Sequence, residues 1–278
     1  MLRERIVTAL IMAGLLFAAI AFLSLPWLAG ALCVVVSLGG WEWSRMAGWE
    51  SLAGRVLYVI TLVAITALFY FYCELGSSPA KNQVQPFLGM ACLWWSFALL
   101  WVKAYPASSV FWRTRVMRSL MGFLVLGFGW LAAVYLLSFP RGGLLLVVMV
   151  AIVVSADVGA YFSGKAFGKH KLALEVSPNK TWEGFWGGMA AAAALSILLW
   201  WMLPNQMSHL DVSAVVAVTL STAMASVVGD LTVSMVKRES GIKDSGSLLP
   251  GHGGILDRLD SLTAAAPVFA LGLLLAGV

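Results

Sequence analysis

Residues 212–236 read VSAVVAVTLSTAMASVVGDLTVSMV and run directly into Lys237-Arg238. The stretch is 25 residues long, with no Lys, Arg or Glu and a single acid, Asp230. A helix needs roughly 20 mostly apolar residues to cross a bilayer, and within one segment only a helix satisfies its own backbone N–H and C=O groups in hydrocarbon. The stretch is therefore read as a membrane-crossing helix that carries an acid close to its charged end. The rest of the chain has the same character. Of its 278 residues, 61% are hydrophobic and 11% charged, where a soluble domain has about 45–50% apolar and about 25% charged residues. That balance excludes a soluble globular enzyme, a disordered chain and a fibrous one.

Apolar runs broken by charged or Pro/Gly clusters give nine expected spans, approximately 6–24, 27–44, 56–75, 84–102, 119–139, 142–162, 184–203, 212–236 and 261–278. The fold class is accordingly all-α, a polytopic integral-membrane helical bundle of about nine transmembrane helices. It is read as one integral-membrane domain, 1–278, with 1–140 supplying the N-terminal spans and 141–278 the spans that carry the polar motifs. The basic start and the apolar run to Leu23 resemble a signal peptide, but hydrophobic segments continue throughout the chain, so a retained first span is expected.

Sixteen of the 18 Lys and Arg residues fall in the N-terminal tail and in the second-to-third, fourth-to-fifth, sixth-to-seventh and eighth-to-ninth connections; only Lys81 and Arg141 fall on the other side. By the positive-inside rule the N-terminus and the basic connections are cytoplasmic. The net charge of +5 is thus a topological signal, and no nucleic-acid partner is expected. Cys33, Cys73 and Cys92 show no CxxC spacing, and His170, His209 and His252 show no metal-ligand spacing, so zinc and disulfide frameworks are not indicated. GKAFGK at 164–169 lacks the spacing and the hydroxyl residue of a phosphate loop. Trp27, Trp94, Trp95, Trp200 and Trp201 near span ends suit interface anchors.

Two acids within expected spans stand out, Asp157 and Asp230. A carboxylate at bilayer depth costs about 2.5–3.5 kcal/mol on insertion scales, so such residues mark polar paths or sites. Asp230, Ser234 and Lys237 are spaced i, i+4, i+7 and share one helix face. A carboxylate, a hydroxyl and an ammonium on one stripe suit a metal-bound phosphate. The stripe leads into KRESGIKDSGSLLPGHGGILDRLDS, residues 237–261, where glycines flank His252 and Asp257 and Asp260 recur at i, i+3. Those acids beside Lys237, Arg238, Lys243 and Arg258 form a combined site for a hard divalent cation and an anionic ligand. Oxygen donors favour Mg²⁺, which shares one or two carboxylates with substrate phosphates. A second polar patch, SPNKTWEG at 177–184, reads as a helix start with Lys180 available for an anion.

The run S-M-V-K-R-E-S-G-I-K-D-S-G-S-L-L-P-G-H-G-G-I-L-D-R-L-D, Ser234 to Asp260, resembles the signature of the phosphatidate cytidylyltransferases, or CDP-diacylglycerol synthases. The resemblance extends through Gly229-Asp230-Leu231, SPNKTWEG and the stretch from Ser155 to Ala173, and rests on hydropathy alone further upstream. It implies an integral-membrane enzyme, a nucleotidyltransferase of phospholipid biosynthesis, that transfers the cytidylyl group of CTP to phosphatidic acid with Mg²⁺, in the bacterial inner membrane with the site facing the cytoplasm, and it is compatible with a homodimer. Carried over by position, Asp230, Lys237, Arg238 and Asp257 are the catalytic set and Asp230, Asp257 and Asp260 the metal carboxylates. Ser234, Lys243, His252, Arg258 and Lys180 line the substrate. The chain departs from the pattern at Val233, where a Glu is usual, at Val158, where a Thr is usual, and at Leu174, where a Pro is common. Three other readings stand beside it: a CTP transferase for another lipid phosphate, a catalytically weakened paralogue lacking the polar groups at Val233 and Val158, and an ion-coupled transporter with a path through Asp157 and Asp230. Polar positions gathered at one membrane face argue against the ion path.

Overall fold

The computed structural model describes residues 2–77, 79–202, 210–248 and 253–278, with side chains from Ile11 onward except Met12. In chain order the helices are α1 (Leu2–Phe22), α2 (Leu25–Met46), α3 (Leu52–Tyr72), α4 (Lys81–Lys103), the single turn α5 (Ser109–Trp112), α6 (Arg115–Leu137), α7 (Gly142–Phe167), α8 (Trp182–Trp201), α9 (Val212–Glu239) and α10 (Leu256–Leu275). Among the described residues eight of them, α2 to α4 and α6 to α10, are long and apolar enough to cross a membrane. The remaining expected span, 6–24, falls on α1, whose described apolar part is Ala13–Phe22. The chain is an all-α polytopic membrane protein.

Side-chain oxygens start several of these helices. Ser51 accepts from the Gly54 N–H, Thr114 from that of Met117 and Thr181 from that of Gly184. α6 is the most enclosed span, and large apolar side chains such as Leu68, Phe71, Leu93 and Phe97 cover the outside of the bundle. In lipid, helices associate through close packing rather than burial from water, so small residues mark their contacts. The buried face of α8 carries Gly184, Gly188, Ala192 and Ser196, four residues apart. A Cβ at Gly159 of α7 would strike Ala191 and the backbone of α8, and one at Gly188 would strike the Ala156 carbonyl. α7 and α8 therefore touch nearly backbone to backbone. Gly229 on α9 likewise lies against the Asp260 carbonyl of α10.

One departure from the sequence reading affects the site. Residues 177–184 were expected to be a helix entry; α8 does begin within them, at Trp182, but Ser177–Thr181 ahead of it is a strand, β2, paired antiparallel with β1 (Lys171–Ala173), with Lys171 opposite Thr181 and Ala173 opposite Ser177. Thr181 is the true cap. The hairpin bridges α7 and α8 at the bundle end that also receives the end of α2, the start of α6 and the α9–α10 connection. Arg118 at the start of α6 donates to the Met46 carbonyl at 3.0 Å and the Ser240 hydroxyl at 3.3 Å, and Ser240 Oγ donates to the Met46 carbonyl at 3.0 Å. At the opposite end Lys81 Nζ donates to the Val278 carbonyl at 3.1 Å.

Candidate active site

α9 carries the polar stripe as the spacing predicted. Ser234 Oγ donates to Asp230 Oδ1 at 3.2 Å, one turn apart. Lys180, held on β2, reaches the other oxygen of Asp230 at 2.6 Å. Lys237, one turn further along, points into the protein and is 8% exposed. Its ammonium meets Asp257 Oδ1 at 2.7 Å. Each partner suits its helix end. Lys237 lies in the last turn of α9, where unpaired carbonyls favour a cation, and Asp257 in the first turn of α10, where unpaired N–H groups favour an anion.

Asp257 is gripped on its other side by backbone. Its Oδ2 accepts from the Ser245 N–H at 3.0 Å and the Gly254 N–H at 2.9 Å. Gly253, with φ +82°, turns the chain in the left-handed region that glycine adopts without penalty, and this brings the Gly254 N–H round to the carboxylate. Asp260, one turn further into α10, is buried; its Oδ1 accepts from the Ser261 N–H at 2.8 Å, and it lies within electrostatic reach of Asp230, Lys237 and Lys180. Asp157 on α7 feels the charges of Lys180 and Asp230. Lys180 thus pairs with Asp230 and Lys237 with Asp257, and Asp157 and Asp260 interact electrostatically with members of these two pairs.

The remaining expected residues are placed less centrally. Arg238 turns away from Lys237, is exposed, and donates from Nε to the Val176 carbonyl at 3.3 Å, so it ties the hairpin to the end of α9. Lys243 and Arg258 are exposed. His252 lies outside the described residues. Beside the hairpin, Glu183 in the first turn of α8 accepts from the N–H groups of Lys169 and His170 and pairs with His170 Nδ1 at 2.6 Å.

The chain matches the cytidylyltransferase family over residues 3–276. The chain belongs to the cytidylyltransferase family. It is 43% identical to a phosphatidate cytidylyltransferase of Pseudomonas aeruginosa over 277 residues, covering 100% of this chain and 98% of that one. It is 38% identical to a phosphatidate cytidylyltransferase of Haemophilus influenzae, covering 97% and 98% of the two chains. A phosphatidate cytidylyltransferase of Brucella suis matches at 46% over 132 residues, 48% of this chain and 47% of that one.

The three departures from the expected pattern fall in two different settings. Val233 is fully buried in the bundle core, so this change removes a polar group from the interior, whereas Val158 and Leu174 are exposed. Two further acids of this cytidylyltransferase fall within expected spans, Glu42 and Glu74, and the structure puts Glu74 in the turn that follows α3. Glu42, in α2, is 3% exposed and bonds to the α9–α10 connection. It lies within the expected span 27–44, so the intramembrane-acid argument that singled out Asp157 and Asp230 applies to it equally.

Proposed function

We propose that this member of the cytidylyltransferase family transfers the cytidylyl group of CTP to phosphatidic acid, giving CDP-diacylglycerol and pyrophosphate. The observation that carries the reading is the cluster of Asp230, Ser234 and Lys237 with Lys180, Asp257 and Asp260 at the basic end of an otherwise apolar bundle. The full-length relatives named phosphatidate cytidylyltransferase support the same substrate pair. A phosphate oxygen of the lipid attacks the α-phosphorus of CTP, and the bond from that phosphorus to the bridging oxygen breaks as pyrophosphate leaves. Both reactants are anions, so the protein's task is to align them and neutralise charge.

The donor set fits Mg²⁺. It offers carboxylate oxygens, and Asp230 and Asp260 lie on helices whose backbones touch at Gly229 and the Asp260 carbonyl. Among the described residues no three acidic, His or Cys side chains form a ready cage, and Mg²⁺, which keeps waters and takes substrate phosphates, needs none. Bound there, Mg²⁺ would draw charge from the phosphates and stabilise the leaving pyrophosphate. Lys180 and Lys237 hold Asp230 and Asp257 in fixed orientations, and their charges offset those of the incoming phosphates. Ser234 fixes the rotamer of Asp230. The bundle keeps the lipid tail in the bilayer while the headgroup reaches the polar end, and with the basic connections cytoplasmic the site faces the cytoplasm of a bacterial inner membrane. The test is formation of a CDP-lipid by purified protein from labelled CTP and phosphatidic acid, abolished by chelating divalent metal. Turnover with an isoprenoid phosphate and none with phosphatidic acid would overturn the choice of lipid.

A further inference from the structure

We propose that Glu42, on a span from the N-terminal half, is a positioning residue for Asp257 and through it for the transfer reaction. A buried carboxylate persists only where its oxygens are satisfied. Glu42 Oε1 accepts from the Ile255 N–H at 3.0 Å, and Oε2 from the Leu256 N–H at 2.9 Å and the Ser245 hydroxyl at 2.7 Å. Ile255 and Leu256 open α10, and Ile255 at the cap position has no side-chain cap of its own. Glu42 therefore takes up N–H groups that a helix start leaves without intrahelical partners, at the end of the helix that favours negative charge. A residue from the other half of the chain caps α10.

The link to the site is that two acids share one turn. The N–H groups of Ser245 and Gly254 go to Asp257; the hydroxyl of Ser245 and the N–H groups of Ile255 and Leu256 go to Glu42. Glu42 thus fixes both the helix start that carries Asp257 and the loop that grips it. Two glycines make the approach possible: a Cβ on Gly246 or Gly254 would overlap the Glu42 carboxylate. Each of these Glu42 bonds goes to the loop or the helix start and none to the stripe on α9, so its influence on transfer runs through Asp257.

The inference rests on the reading of Asp257 as a site acid, and its test keeps the two separable. Wild type and Glu42→Gln are assayed side by side for CDP-lipid formation, with hydrogen exchange of the amides in 244–256 followed on the same samples. Gln removes the charge and replaces one acceptor oxygen with an NH₂ aimed at donors. Turnover at saturating CTP is expected to fall roughly 10–100-fold, the usual effect of losing a partner that orients a site ligand. The KM for CTP is expected to move by no more than about 3-fold, because ground-state binding is left in place. The amides of Ser245, Ile255 and Leu256 exchange faster. A part that was only structural would lower the yield of folded protein and leave kcat per folded molecule unchanged. Inactive wild type refutes the proposed function. Active wild type with full kcat in Glu42→Gln, whatever its exchange, refutes the positioning role. Should Glu42→Gln fail to fold, Ser245→Ala removes one of the three bonds without touching a charge; it is expected to lower kcat in the same direction by less, and full kcat there overturns the proposal.

Discussion

Replacing Lys237 with Met, Asp257 with Leu, and both together separates what their ion pair does for the fold from what it does for the chemistry. The contact is 2.7 Å between side chains 10% and 9% exposed, so neither charge has much water to fall back on. Removing one member of a buried pair leaves the other charge uncompensated, which ordinarily costs about 3–5 kcal/mol. Asp257→Leu also strips acceptors from the Ser245 and Gly254 N–H groups, each roughly 1–3 kcal/mol if left buried. Lys237→Met leaves those two donors on Asp257, so it belongs at the low end of the range and Asp257→Leu at the high end. The double variant carries neither charge and should recover roughly 3 kcal/mol relative to Asp257→Leu. Turnover should not recover with it, since charge facing phosphate is gone, and all three variants are expected to lose about 10²–10³-fold. Denaturant unfolding of the detergent-solubilised protein measures the first quantity, and CTP-dependent CDP-lipid formation the second. A double variant that regained stability and turnover together would show that the pair is a structural bridge outside the chemistry.

Asp230→Asn is expected to lower turnover by about 10²–10³-fold with normal membrane insertion, and its residual rate should respond less steeply to Mg²⁺; a Mg²⁺ titration of initial rate checks both. Lys180→Met removes the 2.6 Å partner of Asp230 at a position 27% exposed; a loss of roughly 10–100-fold in turnover is expected with little change in the unfolding midpoint, and Lys180→Arg should retain part of the rate. For the topology, cysteines introduced at the exposed positions Lys169 and Asn82 should react with an impermeant maleimide from the cytoplasmic and the outer face respectively, judged against the labelling of Cys33, Cys73 and Cys92; reversed accessibility would overturn the orientation.

The bilayer makes span length legible, because its thickness sets a minimum apolar run. The expected 212–236 became Val212–Glu239 and 142–162 became Gly142–Phe167. The start of α10 was misjudged: 261 was expected and Leu256 is observed. The i, i+3 spacing of Asp257 and Asp260 suggests a helix there, but hydropathy does not say where it starts, and its start is met by Glu42, 214 residues from Leu256. No local reading finds that partner. The hairpin was missed for a similar reason. Ser177-Pro178 is compatible with a helix start or with a strand, and contacts from elsewhere accompany the strand: Arg238 on the Val176 carbonyl and Asp230 on Lys180. The small-residue face of α8 was readable from its spacing of four, but hydropathy treats Gly and Ala as ordinary apolar positions and does not separate a packing face from a lipid face.

The stripe Asp230, Ser234, Lys237 was fully legible, since it follows from helical period alone, yet its partners were not. Periodicity puts the three on one face; it leaves open whether Lys237 answers Asp230 on its own helix or an acid elsewhere. The fold gives Lys237 to Asp257 and brings Lys180 in on a hairpin for Asp230. This division has a physical basis. Lys237 and Asp257 sit where the ends of α9 and α10 already favour their charges, so that pair is stabilised by the backbone and can be buried. Asp230 lies two turns inside α9, beyond the last turn to which the terminal field is confined, and so needs a cation delivered from outside the helix. The close approach of α7 and α8 at Gly159, Gly164, Gly184 and Gly188 places the hairpin that carries Lys180, and the contact of Gly229 with the Asp260 backbone brings the second carboxylate alongside Asp230. The glycines of these spans thus determine where the charges of the site meet.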